Sequence, residues 1–379
     1  MQIHVVSPGE SVWGIAQAYG TTPEEIIRAN ELTNAEQLVV GQALVIPIVG
    51  AFHWVAPGES IWQISNRYQV PVQQIIEANN LPFPPEQIPA GYRLYIPTQL
   101  VPKREIDIGA YVDVQITGEN SANVVNEVGK YLTFVQTFSY RMNRDGSLVP
   151  VNDQAIINTA YAHRIVPLMV VTNISGDQFS TELATEILSS EPLQNRLLGN
   201  AMAIMEEKGY LGLDFDLEYL GAQNRERYNN FMRKARTRVD EKDYFLSSAL
   251  APKIRGDMEG VLYEGHDYRA HGEIVDFVFL MTYEWGWTGG PPMAVAPLNS
   301  VRRVIEYAAS VIPANKIMMG IPLYGYDWTL PYVEGVSRAR AIDHQEALRL
   351  ARRYRAAIQY DYISQSPYFY YWDEQGRQH

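Results

Sequence analysis

Hydrophobic and polar positions follow two different rhythms along this chain, and the change falls near residue 100. In the first, "HVVSPGESVWGIAQAYGTTPEEIIRANEL" from His4 is answered about 49 positions later by "HWVAPGESIWQISNRYQVPVQQIIEANNL" from His53, with about half the aligned positions identical. Each copy opens with a β-prone piece and a Pro-Gly turn, Pro8-Gly9 or Pro57-Gly58, then Ser11 or Ser60 as a candidate N-cap. Trp13, Ala16 and Tyr19 recur at helical spacing in the first copy. A second helix holds Ile26, Ile27 and Ala29 and stops near Asn30; a closing strand follows, "QALVIPI" in one copy and "YRLYIPT" in the other. The pattern predicts two β-α-α-β units, 1–48 and 51–98, and a short linker closed by Pro102 and Lys103. Cores this small need every aromatic, so Trp13, Trp62, Tyr19 and Tyr68 are expected inside them.

In the second rhythm, apolar runs of strand length alternate with helix-period stretches. The candidate strands are "IDIGAYVDV", "YLTFVQTFSY", "RIVPLMVVTN", "GYLGLDFDLEY", "YFLSSALAP", "VDFVFLMTYEW" and "KIMMGIPLYGY"; "LATEILSSEPLQNRLLGNAMAIMEEK" and "NRERYNNFMRKARTRVD" are among the helical pieces between them. Repeated βα units of this size predict an α/β domain over 103–379 built on a parallel sheet, either a (β/α)₈ barrel or a doubly wound sheet. No G-x-G-x-x-G follows the first strand, which favours the barrel. No eighth strand is legible. "SPYFYYWDEQGRQH" at the end reads as a strand and a hairpin turn whose return strand has barely begun, so the expectation is an open barrel cut from a longer protein.

One strand breaks the apolar rule. In "LGLDFDLEYL", Asp214, Asp216 and Glu218 alternate with Leu213, Phe215 and Leu217, which puts all three acids on one face, roughly 7 Å apart along the strand. A parallel strand in such a domain is covered on both faces, so these acids face the barrel interior near its C-terminal end, where active sites of this architecture lie. Repulsion and desolvation together leave at least one of them protonated near neutral pH, the property of a general acid.

Composition narrows the chemistry. The 379 residues are 46% hydrophobic, enough for a large core, and a net charge of −12 argues against nucleic-acid or anionic-membrane partners. Cysteine is absent, which removes thiolate metal sites and cysteine nucleophiles, and no ligand-spaced histidine supports a transition metal. The seven histidines are expected to be ordinary surface or packing residues. The N-terminus has no signal-peptide pattern and no run is long and apolar enough to span a bilayer, so synthesis in the cytosol is expected.

The β-α-α-β repeat, with its G-E-S turn and final L-x-I-P or V-I-P, resembles the LysM module. That resemblance implies binding of chains containing N-acetylglucosamine (GlcNAc), with the groove sought at Pro8, Gly9, Glu10, Pro57, Gly58 and Glu59. "LGLDFDLE" resembles the D-G-x-D-x-D-x-E motif of family 18 glycoside hydrolases, the chitinase-like barrels, and "FLMTYEWGWTGGPPMAVAPL" is similar to the sixth-strand M-T-Y-D and following loop of that family's bacterial spore branch. Leu211 stands in place of the motif's first acid, and Glu284 in place of the aspartate after the tyrosine.

The family resemblance implies roles. Glu218 matches the general acid, Asp216 the residue that orients the substrate's 2-acetamido group, Tyr283 the hydroxyl that bonds its carbonyl, and Asp214 the inner aspartate that shares a proton with its neighbour. In this substrate-assisted route the acetamido oxygen attacks C1, so the enzyme needs no nucleophile of its own and no cofactor. Tyr140, Asn173, Glu284, Trp285 and Tyr324 are expected to line the sugar subsites; about half of the loop aromatics Trp285, Trp287, Tyr324, Tyr326 and Trp328 are expected to be structural. The implied activity is an N-acetylglucosaminidase on spore cortex peptidoglycan fragments, because a muramic δ-lactam has no free N-acyl carbonyl to take part. The implied location is the spore's coat and cortex region. A divalent-cation site in the acidic triplet and a non-catalytic glycan-binding barrel are the competing readings; such lectins typically lose the glutamate that Glu218 retains.

Overall fold

The computed structural model describes residues 1–81, 88–97 and 105–379. The expected linker at Pro102 and Lys103, and the expected boundaries at 98 and 103, lie outside the described residues. By contact the chain divides into two units: one takes Glu105–Gly286 and Met293–Pro322, the other the remaining described residues.

The first unit is a curled sheet of seven parallel strands in sequential order. They are Gly109–Asp113 (β1), Phe134–Arg141 (β2), Val166–Thr172 (β3), Gly212–Asp216 (β4), Phe245–Leu250 (β5), Phe277–Leu280 (β6) and Ile317–Met319 (β7). All seven expected strands form. Apolar alternation sets which face each residue takes: Leu213 and Phe215 point outward into a core shared with Leu197, Ala201 and Met205 of helix Glu191–Lys208 and with Phe231 and Met232 of helix Arg225–Asp240. Pro192 cannot sit inside a helix, so the stretch 183–208 splits at the extended Ser190 into Thr181–Ser189 and Glu191–Lys208.

Inward residues of the strands make the floor and mouth of the barrel. Phe134, Leu168 and Phe277 form the floor. Gly212 lies among them because a Cβ there would stand 2.3 Å from a Leu168 methyl and 2.8 Å from the Phe245 Cβ. β1 and β7 exchange no ladder hydrogen bonds, and no eighth strand joins them among the described residues. Side chains fill the space beside this edge instead: the Tyr111 ring of β1 lies 4.9 Å from Phe279 of β6, and a Cβ on Gly109 would be 3.2 Å from the Met318 methyl of β7. The architecture is that of a TIM-type barrel left open at one seam.

The other unit holds the repeat. Gln2–Val5 pairs antiparallel with Ala43–Ile46 around helices Val12–Tyr19 and Pro23–Ala29; Ala51–Trp54 pairs with Arg93–Ile96 around Ile61–Tyr68 and Val72–Ala78. Ser11 caps Gly14 N–H and Ser60 caps Gln63 N–H, as the sequence predicts. In both copies an asparagine ties the second helix to the closing strand. The Asn30 side chain bonds Ile26 O and both backbone polar groups of Val45, and Asn79 does the same with Ile75 O and Tyr95.

The expectation for the tryptophans is overturned. Trp13 is 75% exposed and Trp62 69%, whereas Tyr19 is buried and Tyr68 half-buried. The buried stripe of the first helix runs Val12, Ile15, Ala16, Tyr19, and Trp13, one residue further on, falls outside it. Residues 323–379 of this unit contribute two short hairpins and the helix His344–Arg353, and the backbone of His379 pairs with that of Tyr371.

Candidate active site

The site is built on β4 and the turn that follows it. Asp214 is fully buried, and its two carboxylate oxygens accept from Tyr111 Oη at 2.7 Å and Ser247 Oγ at 2.6 Å. Burial raises its pKa, and those two hydroxyls oppose the rise. Asp216, one step nearer the mouth, has Oδ1 buried with no hydrogen-bond partner. Burial, then the charges of Glu218 and Asp214, hold its pKa well above the usual carboxylate range. Two acids on one strand face thus differ in state: Asp214 is compensated by donors, whereas Asp216 is the place for a proton.

Glu218 lies past the strand end, and its pKa is raised to about 7, first by burial and then by the Glu284 carboxylate. Its main chain is fixed at both polar groups: Glu218 N–H donates to Asn173 Oδ1 and Asn173 Nδ2 donates to Glu218 O, each at 2.9 Å. Its neighbours are fixed too. Thr181 Oγ1 donates to Tyr219 O, and His266 Nε2 bonds Leu217 O at 2.9 Å while its Nδ1 accepts from Ala251 N–H. Those two bonds assign His266 the neutral Nε2–H tautomer, and burial drops its pKa to about 4.

Tyr283 follows β6 and is half-buried; burial and the charges of Asp216 and Glu218 raise its pKa, so it remains a hydroxyl donor. Gly320 makes room for it, since a Cβ there would lie 2.8 Å from the Tyr283 ring. Glu284 is exposed in the left-handed region at φ 67°. Trp285 packs partly against the main core, its N–H bonded to Val295 O.

Several sequence expectations need correcting. Tyr140 lines no subsite: it points outward from β2, is fully buried, donates to Asp153 and accepts from Lys208 Nζ at 2.9 Å. Asn173 is also fully buried, with its amide spent on Glu218 and Ser180, so it positions the acid rather than touching sugar. His266, expected to be surface or packing, is a buried brace of the turn after β4; no spacing in the sequence connects it to Leu217. Tyr324 is not among these corrections; its ring lies 5.7 Å from that of Tyr326. No group of side chains suited to a metal ion occurs among the described residues.

The family model of Glycosyl hydrolases family 18 matches residues 109–378. The chain belongs to this family. Ahead of the family 18 domain, the LysM domain model matches residues 4–47 and 53–97. The family 18 chain is 46% identical to the cortical fragment-lytic enzyme of Bacillus subtilis (strain 168), over 100% of this chain and 88% of the relative. It is 44% identical to the enzyme of the same name from Bacillus anthracis, with the same coverage. Among solved structures, the spore cortex-lytic enzyme SleL of Bacillus megaterium QM B1551 matches with a TM-score of 0.88 and 41% identity, covering 100% of this chain and 87% of that one.

The LysM turns carry a bonding pattern of their own. Glu10 Oε2 accepts from His4 Nε2 and Ser7 N–H, and Glu59 Oε2 from His53 Nε2 and Ala56 N–H, with Arg67 3.0 Å from its other oxygen. Each histidine's Nδ1 reaches a tyrosine hydroxyl, Tyr19 or Tyr68, at 3.1 Å. These carboxylates brace the turn, and Glu59 is nearly buried. Pro8, Gly9, Pro57 and Gly58 form exposed turns, the two glycines at φ 83° and 75°.

Proposed function

We propose that this family 18 enzyme cleaves GlcNAc glycosidic bonds in spore cortex peptidoglycan fragments by retaining, substrate-assisted catalysis. Glu218 protonates the glycosidic oxygen as the C1–O bond breaks, and the carbonyl oxygen of the sugar's own acetamido group attacks C1 to give an oxazolinium ion. Asp216 takes the acetamido N–H, Tyr283 donates to the acetamido carbonyl, and Asp214 supports Asp216 from below. Water, deprotonated by Glu218, then opens the ring with retention. The observation that carries this reading is the pairing of Glu218, whose pKa lies at about 7, with Asp216, whose inner oxygen has no protein partner. A proton and a vacant acceptor stand where a 2-acetamido sugar needs both.

The substrate class rests on the relatives' names and on the chemistry of participation. GlcNAc has a free N-acyl group, and a muramic δ-lactam does not, so cleavage leaves GlcNAc at the new reducing end. The LysM pair, with grooves at the Pro8-Gly9 and Pro57-Gly58 turns, holds the enzyme on its polymer and raises its effective concentration in the spore's outer layers. The test is digestion of purified cortex by the chain and by Glu218→Gln, with products read by mass spectrometry. Fragments ending in GlcNAc from the first and none from the second are expected. Equal release by both sinks the mechanism, and no release by either favours a glycan-binding protein.

A further inference from the structure

The barrel has an aromatic floor and an acidic centre, yet the mouth carries a cation at the same height as the catalytic strand's end. Arg141 closes β2 and pairs in register with Thr172 of β3, and Thr172 pairs on its other side with Asp216. Directly paired residues of a sheet share a face, so Arg141 and Asp216 both face the barrel mouth, two strand spacings or roughly 10 Å apart. The register shift between Thr137 and Tyr140 produces this placement. Without that extra residue in β2, Arg141 would turn outward.

Arg141 is half-buried and incompletely used. Nη1 donates to Gly176 O at 3.1 Å, in the turn between the two-residue strands Ile174–Ser175 and Gln178–Phe179. No carboxylate forms an ion pair with it among the described residues; Asp177 in the same turn does not, whereas nearby Arg144 is paired with both Glu182 and Glu186. Two depressions meet at Arg141, one with Asn143 and Ser175 in its wall, the other with Gln115 and Asn152. A guanidinium anchored at one edge and lined by amides and a hydroxyl suits a carboxylate, which it can take with two parallel hydrogen bonds.

We infer that Arg141 is a specificity residue: it binds a carboxylate carried by a sugar adjoining the cleaved GlcNAc, and so selects muramyl-containing glycan over neutral GlcNAc polymers. This rests on the proposed glycosidase reading. Both the lactyl ether and the peptide of a muramyl residue supply such a group, and chitin-type chains supply none. At two strand spacings, roughly 10 Å, from Asp216, Arg141 stands clear of the reacting ring and faces a sugar beside it.

Calorimetric titration of the inactive Glu218→Gln chain tests this with a pair of ligands in two forms. The ligands are a GlcNAc–muramyl tetrasaccharide with bare lactyl groups and the same glycan carrying its peptides; each is used as the free acid and after methyl esterification. Esterification is expected to weaken binding about tenfold in at least one ligand pair when Arg141 is present, and to have no effect in Glu218→Gln/Arg141→Met. Which pair responds identifies the carboxylate. An esterification effect of equal size in both backgrounds overturns the inference while leaving the glycosidase reading intact. Loss of all binding in the Glu218→Gln background would instead overturn both.

Discussion

Two neighbouring acids are made different by what donates to them. Asp214 receives two hydroxyls, whereas Glu218 receives only burial and the repulsion of Glu284. The working form of Glu218 is protonated, so kcat/KM is expected to fall as pH rises through about 7, measured on a soluble cortex fragment. Glu218→Gln is expected to lower kcat by ~10²–10⁴-fold. It has a second consequence. A carboxyl with a folded pKa of about 7 and an ordinary value of 4.5 stabilises the fold less and less as pH climbs between those values. The amide removes that penalty, so at pH 8 the variant is expected to be more stable to urea by about 3 kcal/mol. Unchanged stability would show that Glu218 keeps an ordinary carboxylate pKa. At this scale the acids were legible from alternation alone, because period two assigns Asp214 and Asp216 to one face. Tyr111 and Ser247 were not, since their link to Asp214 joins strands that only the curl of the sheet brings together.

The turn after β4 is held from two sides, by Asn173 at the end of β3 and by His266 from the segment after β5. His266 is neutral in the native state down to about pH 4, while an unfolded histidine takes up a proton near 6.5. Its contribution is therefore complete above pH 6.5 and is lost as pH falls towards 4, a change of about 3 kcal/mol. Urea unfolding of the chain and of His266→Gln at pH 6.5 and 4.5 checks this; the variant should lose less stability over that interval. The repeat units show what pattern can and cannot reveal. Ser11, Ser60 and Asn30 mark helix ends in the sequence and do so in the structure. Glu10 and Glu59 are expected in the groove on the LysM resemblance, and their bonds to His4 and His53 are links that no periodicity encodes. Trp13 and Trp62 were assigned inward by size when the helix stripe excludes them.

For the whole chain, the proposed reading divides the work, with the family 18 domain cutting and the LysM pair holding. The inactive Glu218→Gln chain is expected to sediment with insoluble cortex and to be released by soluble GlcNAc oligomers, while solubilising nothing itself. Failure to sediment would remove the tethering role. Domain order was legible because each module repeats or alternates with its own period. The seam was legible only as a missing eighth strand, and how the open edges are dealt with depends on side chains that no periodicity encodes.

That seam gives Tyr111 two jobs. Closed sheets hold their circumference by backbone ladders, which sequence changes barely touch; among the described residues no ladder joins β1 to β7, and β1 rests its Tyr111 ring on Phe279 of β6 and has the Met318 methyl of β7 beside Gly109. The same tyrosine that leans on Phe279 across the opening ends in the hydroxyl that feeds Asp214. The width of the mouth and the hydrogen bonding at its centre are thus tied to one side chain, and whatever spreads the seam also loosens one of the two donors that oppose the raised pKa of the inner acid.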